Sequence, residues 1–594
     1  MRRALAQNVR FLRRPVQRKA VKFRPVTFGS NSTSRYLASR SGPGPSQMRG
    51  RRVSQALLAG AVAGGAWYAM RGAPGSSNVT LLESPLGNKF PQPGLSAEQA
   101  PETVHKALIV ERGELYTSII PEGQVLTKET DDYGRKVIKM LTDDQVTAKL
   151  RKNEMSYMVG RGKGVVRYDV VQIPSNDPIE DDHAEKIIEV PNTDDSSAVA
   201  DWSFWGVFDG HSGWTTSAKL RQSLISFVAR ELNTTYRSAA QSAPGLIPSA
   251  AAIDEAIKNG FNKLDHEITH ESVQRVLKAK SKSLAAEILA PALSGSCALL
   301  SFYDSRSKQL RVACTGDSRA VLGRRSNNGK WTATPLSIDQ TGGTESEAAR
   351  LRAEHPDEPY VTANGRILGG LEPSRAFGDA VYKWSLEMQK KLYGTYFTRR
   401  ASKHLLTPPY VTAEPIVTTT TIAPEKGDFV VMATDGLWEM LSNEEVIGLV
   451  GMWLEQNSPS PAVPKPSAGI KAWIPSFLSG KTVLPVENHS SANGATGQRA
   501  PIRQTQYGID PDETGRFIVH DANAATHLVR NALGGADRDM VSALLTLPAP
   551  NSRRYRDDLT VEVIFFGEEG QTRTGKVEIN PEGSRGAQGE RAKL

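Results

Sequence analysis

The sequence predicts an α+β fold in which short, buried strands alternate with amphipathic helices. Four apolar runs rich in β-branched and aromatic residues each end in an acidic residue or start from one. Runs this short and apolar suit strands buried on both sides better than they suit helices. Helical patterns lie between them, at 212–232, at 253–271 and after Thr344-x-x-Glu347, a motif typical of a helix capping box.

The acidic residues at the strand ends indicate a metal cleft. They are Asp209 after S-F-W-G-V-F, Asp317 after L-R-V-A-C-T-G, Asp435 after F-V-V-M-A-T, and Asp557 with Asp558 before L-T-V-E-V-I-F-F. An isolated carboxylate at the end of a buried strand is costly, so several that converge need a cation or protons to offset their repulsion. Aspartates also end strands as turn formers, which would account for any single one of them. Four such residues favour the metal cleft.

Carboxylate oxygens favour hard cations, so the expected ions are Mg²⁺ or Mn²⁺. Two such ions that share a carboxylate can lower the pKa of a water molecule and present it in line with a phosphorus atom. This chemistry hydrolyses a phosphate ester without a covalent enzyme intermediate. His211 follows Asp209 by two residues, so it would lie at the same strand end. An imidazolium at that place can protonate the departing oxygen.

Composition argues against several other classes of protein. The net charge is +9, but residues 1–82 contain fifteen Lys or Arg and no acidic residue, and the remainder has a net charge of −6. The basic character therefore belongs to the leader, and no nucleic-acid partner is predicted. Two cysteines cannot form a disulfide framework or a four-thiolate zinc site. Cys314 is followed by Arg319 one residue too early for the phosphate loop of a cysteine-based phosphatase.

Three segments precede the predicted catalytic domain. Residues 1–50 begin with an Arg- and Ser-rich, acid-free stretch typical of a mitochondrial transit peptide, with a disordered basic tail as the alternative. Residues 53–70 are uncharged, flanked by arginines and long enough for one transmembrane helix. Their many Ala and Gly residues leave a soluble helix or a part of the leader as the alternatives. Residues 72–103 have the composition of a linker.

The predicted domain covers residues 104–570. Within it, residues 456–515 are rich in Pro, Ser and Asn, yet strand patterns lie on both sides, so this stretch is predicted to be a flexible insertion. The polar residues 571–594 are predicted to form a disordered tail.

Six motifs together resemble one known family. They are F-D-G-H-S-G at 208–213, S-G-S at 294–296, T-G-D-S-R-A-V-L at 315–322, S-R-A-F-G-D at 374–379, A-T-D-G-L-W-E at 433–439 and R-D-D-L-T-V at 556–561. In this order they resemble the PPM, or type 2C, metal-dependent serine/threonine protein phosphatases, from about residue 157 to 566. The resemblance implies a four-layer α-β-β-α sandwich with a central pair of mainly antiparallel sheets and a binuclear metal cleft.

The resemblance also implies roles for individual residues. Asp209 would bridge two Mg²⁺ or Mn²⁺ ions, and Asp209 with His211 would form the catalytic pair. The other implied ligands are Glu180 and the Gly210 carbonyl on one ion, Asp435 and Asp557 on the other, Asp181 through water, and Asp317 with Glu439 at a weaker third site.

Three positions depart from the family pattern. The family usually has Asp where this chain has Glu439, and Asn where it has Asp558. Most members place a phosphate-binding Arg where this chain has Asn176. An amide at that substrate-binding position would hold phosphate more weakly than a bidentate guanidinium. Asn176 could equally form an Asx turn before Pro178, and the two roles are compatible.

The variant N-x-P-x-E-D at 176–181, together with Lys383-Trp384, is similar to the pyruvate dehydrogenase phosphatase branch and its fungal mitochondrial relatives. The predicted partner is therefore the phosphorylated E1α subunit of pyruvate dehydrogenase, with attachment to the mitochondrial inner membrane through residues 53–70. A helix of that kind would usually leave the catalytic domain in the intermembrane space, so a phosphatase of other mitochondrial phosphoproteins is an alternative. An inactive scaffold that binds phosphoproteins is a further alternative. The basic residues within 383–404 would recruit an acidic or phosphorylated surface, or would simply be solvated.

Overall fold

Two antiparallel β-sheets lie face to face at the centre of the structure. The computed structural model describes residues 105–111, 114–120, 135–191, 199–242, 246–457, 484–487, 498, 500–511, 513, 515–568 and 574–586. The predicted transit peptide at 1–50, the predicted membrane helix at 53–70 and the linker at 72–103 lie outside the described residues and stay predictions. Within the described part of the chain, no helix has the length and apolar character needed to span a bilayer.

The strands of the two sheets come from distant parts of the chain. The five-stranded sheet has the order Ile416–Thr421, Gln309–Thr315, Ala298–Asp304, Val199–Phe208, Asp182–Pro191. The seven-stranded sheet has the order Trp331–Pro335, Arg319–Arg325, Phe429–Ala433, Leu559–Phe566, Val165–Ile173, Met155–Val159, Val577–Ile579. Smaller sheets consist of Glu114–Ile120, His105–Glu111 and Lys136–Lys139; of Thr362–Ala363 and Arg366–Ile367; and of Phe377–Gly378, Gly295–Ser296 and Gly210–His211.

Helices cover the outer face of each sheet. Thr215–Ser242 and Ala250–His266 pack against the five-stranded sheet, where Phe204 and Leu300 meet Leu224 and Phe261. The helices on the seven-stranded sheet are Asp143–Arg151, Asn443–Asn457, Ala524–Ala532 and Arg538–Thr546. The remaining described α-helices are Ser272–Ala279, Lys282–Ile288, Ala290–Leu293, Glu345–Glu354, Leu386–Leu392, Asp435–Trp438 and Ile502–Tyr507. A π-helical turn, Glu267–Glu271, follows Ala250–His266, and 3₁₀ turns lie at Ala380–Tyr382, Pro424–Lys426, Ser552–Arg554 and Pro581–Gly583.

A further cluster of apolar side chains fills the space between the two sheets. Trp205 and Leu299 from the five-stranded sheet pack with Met432 and Ile564 from the seven-stranded sheet. Alternate residues of the inner strands therefore face a helix layer or the opposite sheet, as apolar strands buried on both sides must. The predicted four-layer α-β-β-α sandwich is confirmed.

Two expectations about local structure were wrong. The helix Glu345–Glu354 begins after Thr344, but the Thr344 hydroxyl donates to the Asp339 carbonyl (2.6 Å) rather than to the helix end. Glu347 binds Arg375 (2.9 Å), so the predicted capping box does not form. The predicted disordered tail contains the strand Val577–Ile579, which pairs with Met155–Val159. In both cases a distant partner outweighs the local pattern.

Residues from the predicted insertion and from the basic interval also have structured roles. The insertion contains the helix Ile502–Tyr507, whose Arg503 is buried. Lys383 is buried as well, and its ammonium group binds both oxygens of Asp265 (2.8 and 2.7 Å). Lys383 therefore belongs to the core and cannot contribute to a basic recruitment surface.

One ionisable cluster interrupts the apolar layer between the sheets. His183 and Glu185 lie on the strand Asp182–Pro191, with His183 Nδ1 at 2.5 Å from Glu185 Oε1. Glu562, on Leu559–Phe566, is fully buried, and its Oε1 lies 3.9 Å from His183 Nδ1. Burial and the nearby Glu185 raise the pKa of Glu562 well above its ordinary value. Burial opposes the charge on Glu185, but His183 outweighs burial and lowers the pKa of Glu185 to about 2.

Replacement of Glu562 should therefore change how stability depends on pH. A carboxyl group with a raised pKa in the folded state stabilises the fold below its unfolded-state pKa and loses that contribution as pH rises. We expect Glu562→Gln, which mimics the protonated form, to gain stability over the wild type between pH 5 and 8. Between the unfolded-state and the folded-state pKa of Glu562, the stability difference grows by at most about 1.4 kcal/mol for each pH unit.

Calorimetric unfolding of the two proteins across this pH range measures the difference. The control is Glu578→Gln, because Glu578 lies on an exposed strand. A stability difference that stays constant with pH would contradict a protonated Glu562 in the folded protein.

Candidate metal centre

Three acidic residues meet at one end of the two sheets. Asp209 follows the strand Val199–Phe208, Asp435 begins the short helix Asp435–Trp438 after the strand Phe429–Ala433, and Asp317 lies between two further strands. One carboxylate oxygen from each residue lies within 4.8 Å of the others. The fourth strand-end residue, Asp557, is close enough for its charge to raise the pKa of Asp209.

The cluster is strongly electronegative. Burial raises the pKa of Asp209 well above its ordinary value, and the charges of Asp435 and Asp181 add to this effect. Burial likewise raises the pKa of Asp557 to about 6, although Arg553 acts in the opposite direction. Carboxylates held this close need protons or cations to offset their repulsion. The donor set consists of oxygen atoms alone, which fits Mg²⁺ or Mn²⁺ rather than zinc.

Glu180 lies near Asp209, against Gly210, on a loop that Asp558 holds in place. Asp558 accepts hydrogen bonds from the backbone N–H groups of Asn176 (2.9 Å) and Glu180 (2.9 Å), and also from that of Ser175. The side chain of Glu180 accepts from the Gly213 N–H (2.7 Å). The acidic residue that replaces the usual Asn at 558 therefore orders the loop that presents Glu180. The sequence contains no local pattern that reveals this role.

Gly210 brings its backbone against the same loop. A Cβ atom at this position would overlap the Glu180 carbonyl oxygen, so a residue larger than glycine would push the loop away. The Ser217 hydroxyl also donates to that carbonyl (2.5 Å). The two predicted ligands of one ion, Glu180 and the Gly210 carbonyl, are thus held beside Asp209.

Asp181 lies behind the cluster between the sheets. It is buried, and its Oδ2 accepts hydrogen bonds from the hydroxyls of Thr434 (2.9 Å) and Thr560 (2.8 Å). Thr434 directly precedes Asp435, and Thr560 is the second residue of the strand that follows Asp557 and Asp558. Asp181 therefore ties the ends of both strands together, which suits its predicted role through water rather than as a direct ligand.

His211 has an acidic partner that the sequence did not reveal. Its Nε2 lies 2.5 Å from Asp379 Oδ2, at the end of the S-R-A-F-G-D motif. Burial lowers the pKa of His211, but Asp379 outweighs burial and raises the pKa above its ordinary value. A Cβ atom on Gly295 would overlap both His211 Nε2 and Asp379 Oδ2. The glycine of the S-G-S motif therefore leaves space for this pair.

Two predicted site residues have contacts of a different kind. Glu439 Oε2 accepts a hydrogen bond from the buried Arg503 Nε (2.8 Å), so a cation already neutralises the expected third-site ligand. Asp317 Oδ1 accepts from the Cys297 thiol (3.2 Å) and lies with Asp209 and Asp435. Ligation of a third ion by Asp317 and Glu439 stays a prediction.

Asn176 points at acidic side chains. Its amide nitrogen donates to Asp558 Oδ2 (3.1 Å) and to Glu180 Oε2 (3.3 Å). Because an amide NH₂ has two hydrogens, both of its donors are engaged. This contact supports Glu180. Because both amide hydrogens of Asn176 donate to carboxylates, neither is available for the predicted contact with substrate phosphate.

Comparison with known proteins identifies the family of this site. Residues 171–467 match the family model of protein phosphatase 2C. A protein phosphatase 2C homolog of Schizosaccharomyces pombe is 45% identical over 426 residues, which cover 72% of this chain and 85% of the relative. The chain belongs to the protein phosphatase 2C family. It is therefore a protein serine/threonine phosphatase, and the acidic cluster belongs to a metal-dependent family of hydrolases.

Two further relatives within the family have more specific names. The mitochondrial pyruvate dehydrogenase (acetyl-transferring) phosphatase 1 of Saccharomyces cerevisiae is 42% identical over 477 residues, which cover 78% of this chain and 80% of the relative. The human protein of the same name is 30% identical over 490 residues, which cover 72% of this chain and 83% of the relative. The resemblance to this branch is thereby confirmed.

Gly295→Ala should separate His211 from Asp379 and leave the acidic cluster in place. General acid catalysis contributes about 10²- to 10⁴-fold, so we expect kcat on a phosphopeptide to fall by about 10²-fold or more. The control is Gly343→Ala, since a Cβ atom there would make only ordinary contacts. Circular dichroism establishes that both variants are folded. Equal kcat values for the two variants would contradict the role assigned to the His211–Asp379 pair.

Proposed function

We propose that this phosphatase hydrolyses phosphoserine and phosphothreonine esters on the E1α subunit of mitochondrial pyruvate dehydrogenase, using two Mg²⁺ or Mn²⁺ ions. The observation that supports the chemistry best is the meeting of Asp209, Asp317 and Asp435 at one end of the sandwich. The names of the yeast and human relatives support the substrate.

The proposed ligands are those that the family resemblance implies, and the clustering of Asp209, Asp317 and Asp435 supports them. Asp209 would be shared by both ions, with Glu180 and the Gly210 carbonyl on one ion and Asp435 and Asp557 on the other. Bound there, the cations would supply charge neutralisation and the activation of water toward phosphorus. Asp317 would join a weaker third site, for which Glu439 is less suitable because Arg503 already binds it.

The chain's own residues account for the transfer of a proton to the leaving group. Asp379 binds His211 Nε2, fixes the orientation of the ring and favours its protonated form. Because both nitrogens of an imidazolium carry a hydrogen, the proton at Nδ1 remains for the departing serine or threonine oxygen. Asp379 is thus a positioning residue, and His211 is the proposed general acid.

Replacement of Asp209, the proposed ligand of both ions, should abolish turnover without unfolding the protein. The full chain is assayed with Mn²⁺ on a phosphorylated E1α peptide, with and without a chelator. Cation stabilisation of several kcal/mol corresponds to about 10³-fold or more in rate, and we expect Asp209→Asn to lose that much.

The matched control is Asp144→Asn, because Asp144 is exposed in the first turn of the helix Asp143–Arg151. Phosphate release that survives the chelator would refute the metal mechanism. An inactive wild type that still binds the phosphopeptide would favour the scaffold alternative.

The proposed substrate determines which side of the inner membrane the catalytic domain must occupy. Pyruvate dehydrogenase lies in the matrix, so we expect the C-terminal part of the chain to resist added protease in intact mitochondria and in mitoplasts. Digestion in mitoplasts alone would place the domain in the intermembrane space. That outcome would replace pyruvate dehydrogenase with phosphoproteins of that compartment as the substrates.

A further inference from the structure

A phosphatase of this kind needs a cationic group for the phosphate of its substrate, and Asn176 does not provide one. The side chain of Asn176 is neutral, and both of its amide hydrogens point at carboxylates. Its remaining polar atom is a carbonyl oxygen, which repels a phosphate oxygen. A side chain that binds the phosphate together with the metal ions would therefore come from another part of the site.

Arg553 lies at the edge of the acidic cluster. It belongs to the short turn Ser552–Arg554, four residues before Asp557, and its Nη1 contacts Asp557 Oδ2. Burial lowers the pKa of Arg553, but the charges of Asp557 and Asp435 outweigh burial and raise it. The side chain is 45% exposed. A guanidinium is thus held beside the metal ligands and is open to solvent at the same time.

The other basic side chains near the cluster have different roles. Arg556 is buried and donates to the backbone carbonyls of Pro174 (2.7 Å) and Leu544 (3.2 Å). Arg503 is buried against Glu439. Arg554 is exposed and makes no ion pair with the described residues. Of these arginines, Arg553 alone combines contact with a metal ligand and access to solvent.

We propose that Arg553 binds the phosphate group of the substrate, in place of the arginine that the family usually has at the position of Asn176. The assignment rests on the proposed phosphatase function. In the structure the guanidinium offsets the charge of Asp557. A divalent cation on Asp557 would take over that task, and the guanidinium, which keeps its proton, would be released toward a dianionic phosphate. Its planar group of N–H donors can bind two phosphate oxygens at once.

Phosphate affinity and metal affinity together test this assignment. The full chain, loaded with Mg²⁺, is titrated with inorganic phosphate by calorimetry, and KM is measured on a phosphopeptide. Hydrogen bonds to a charged group are stronger than those between neutral groups. We therefore expect Arg553→Ala to raise both the Kd for phosphate and the KM for the phosphopeptide by about 10- to 100-fold. Arg553→Lys, which keeps the charge but loses the planar group, should recover part of the affinity. The neighbouring Arg554→Ala is the matched control and should change neither value by more than about twofold.

A merely structural role for Arg553 predicts a different result. If Arg553 only positions Asp557, its removal should weaken the binding of Mg²⁺ and leave the phosphate affinity of the saturated protein unchanged. If it binds substrate, its removal should leave Mg²⁺ affinity unchanged or increase it, because a competing cation is lost. Equal phosphate Kd and KM values for Arg553→Ala and Arg554→Ala would overturn the proposal. A wild type without chelator-sensitive activity would refute the phosphatase function instead, and the ratio of phosphate Kd values would still decide the role of Arg553.

Discussion

The repulsion among carboxylates buried at one end of the β-sandwich governs the rest of the site. Asp209, Asp317 and Asp435 are drawn together by the strands that carry them, and their mutual repulsion together with burial raises the pKa of Asp209. Some surrounding residues offset this negative charge, and others use a charge of their own to position the acidic residues. Arg503 neutralises Glu439, whereas Asp558 uses its own charge to order the loop that carries Glu180. A fold that creates such a concentration of negative charge is suited to binding divalent cations.

A second set of buried ion pairs supports the histidine side of the site. Glu347 binds Arg375, and Asp265 binds Lys383 as well as the backbone N–H of Gly378 (3.0 Å). The segment between Arg375 and Lys383 contains Asp379, so these pairs fix the partner of His211 from both sides. Removal of one member would leave a buried, unpaired charge, which typically costs about 3–5 kcal/mol. Catalytic geometry and folding stability therefore depend on the same contacts in this region.

The layers of the fold were implied by the family motifs, and the acids at the strand ends followed from local apolar patterns. The sequence was not sufficient for partnerships between distant segments. Asp379 ended a recognised motif, yet its pairing with His211 requires the tertiary fold. Glu347 matched a capping pattern at three residues from Thr344, but Arg375 provides a stronger partner for it. Arg553 had no motif at all, since its position depends on a short turn before Asp557.

In the seven-stranded sheet, two neighbouring strands come from the two ends of the domain, and Val171 of one pairs with Val561 of the other. Such long-range pairing forms slowly, because the entropy of closing a large loop is lost before the new contacts stabilise the strands. A nascent polypeptide lacks the last strands, and with them Asp557. If Asp557 holds a metal ion as proposed, catalytic competence requires the completed chain. Topology then prevents premature dephosphorylation by an unfinished chain, without an inhibitor.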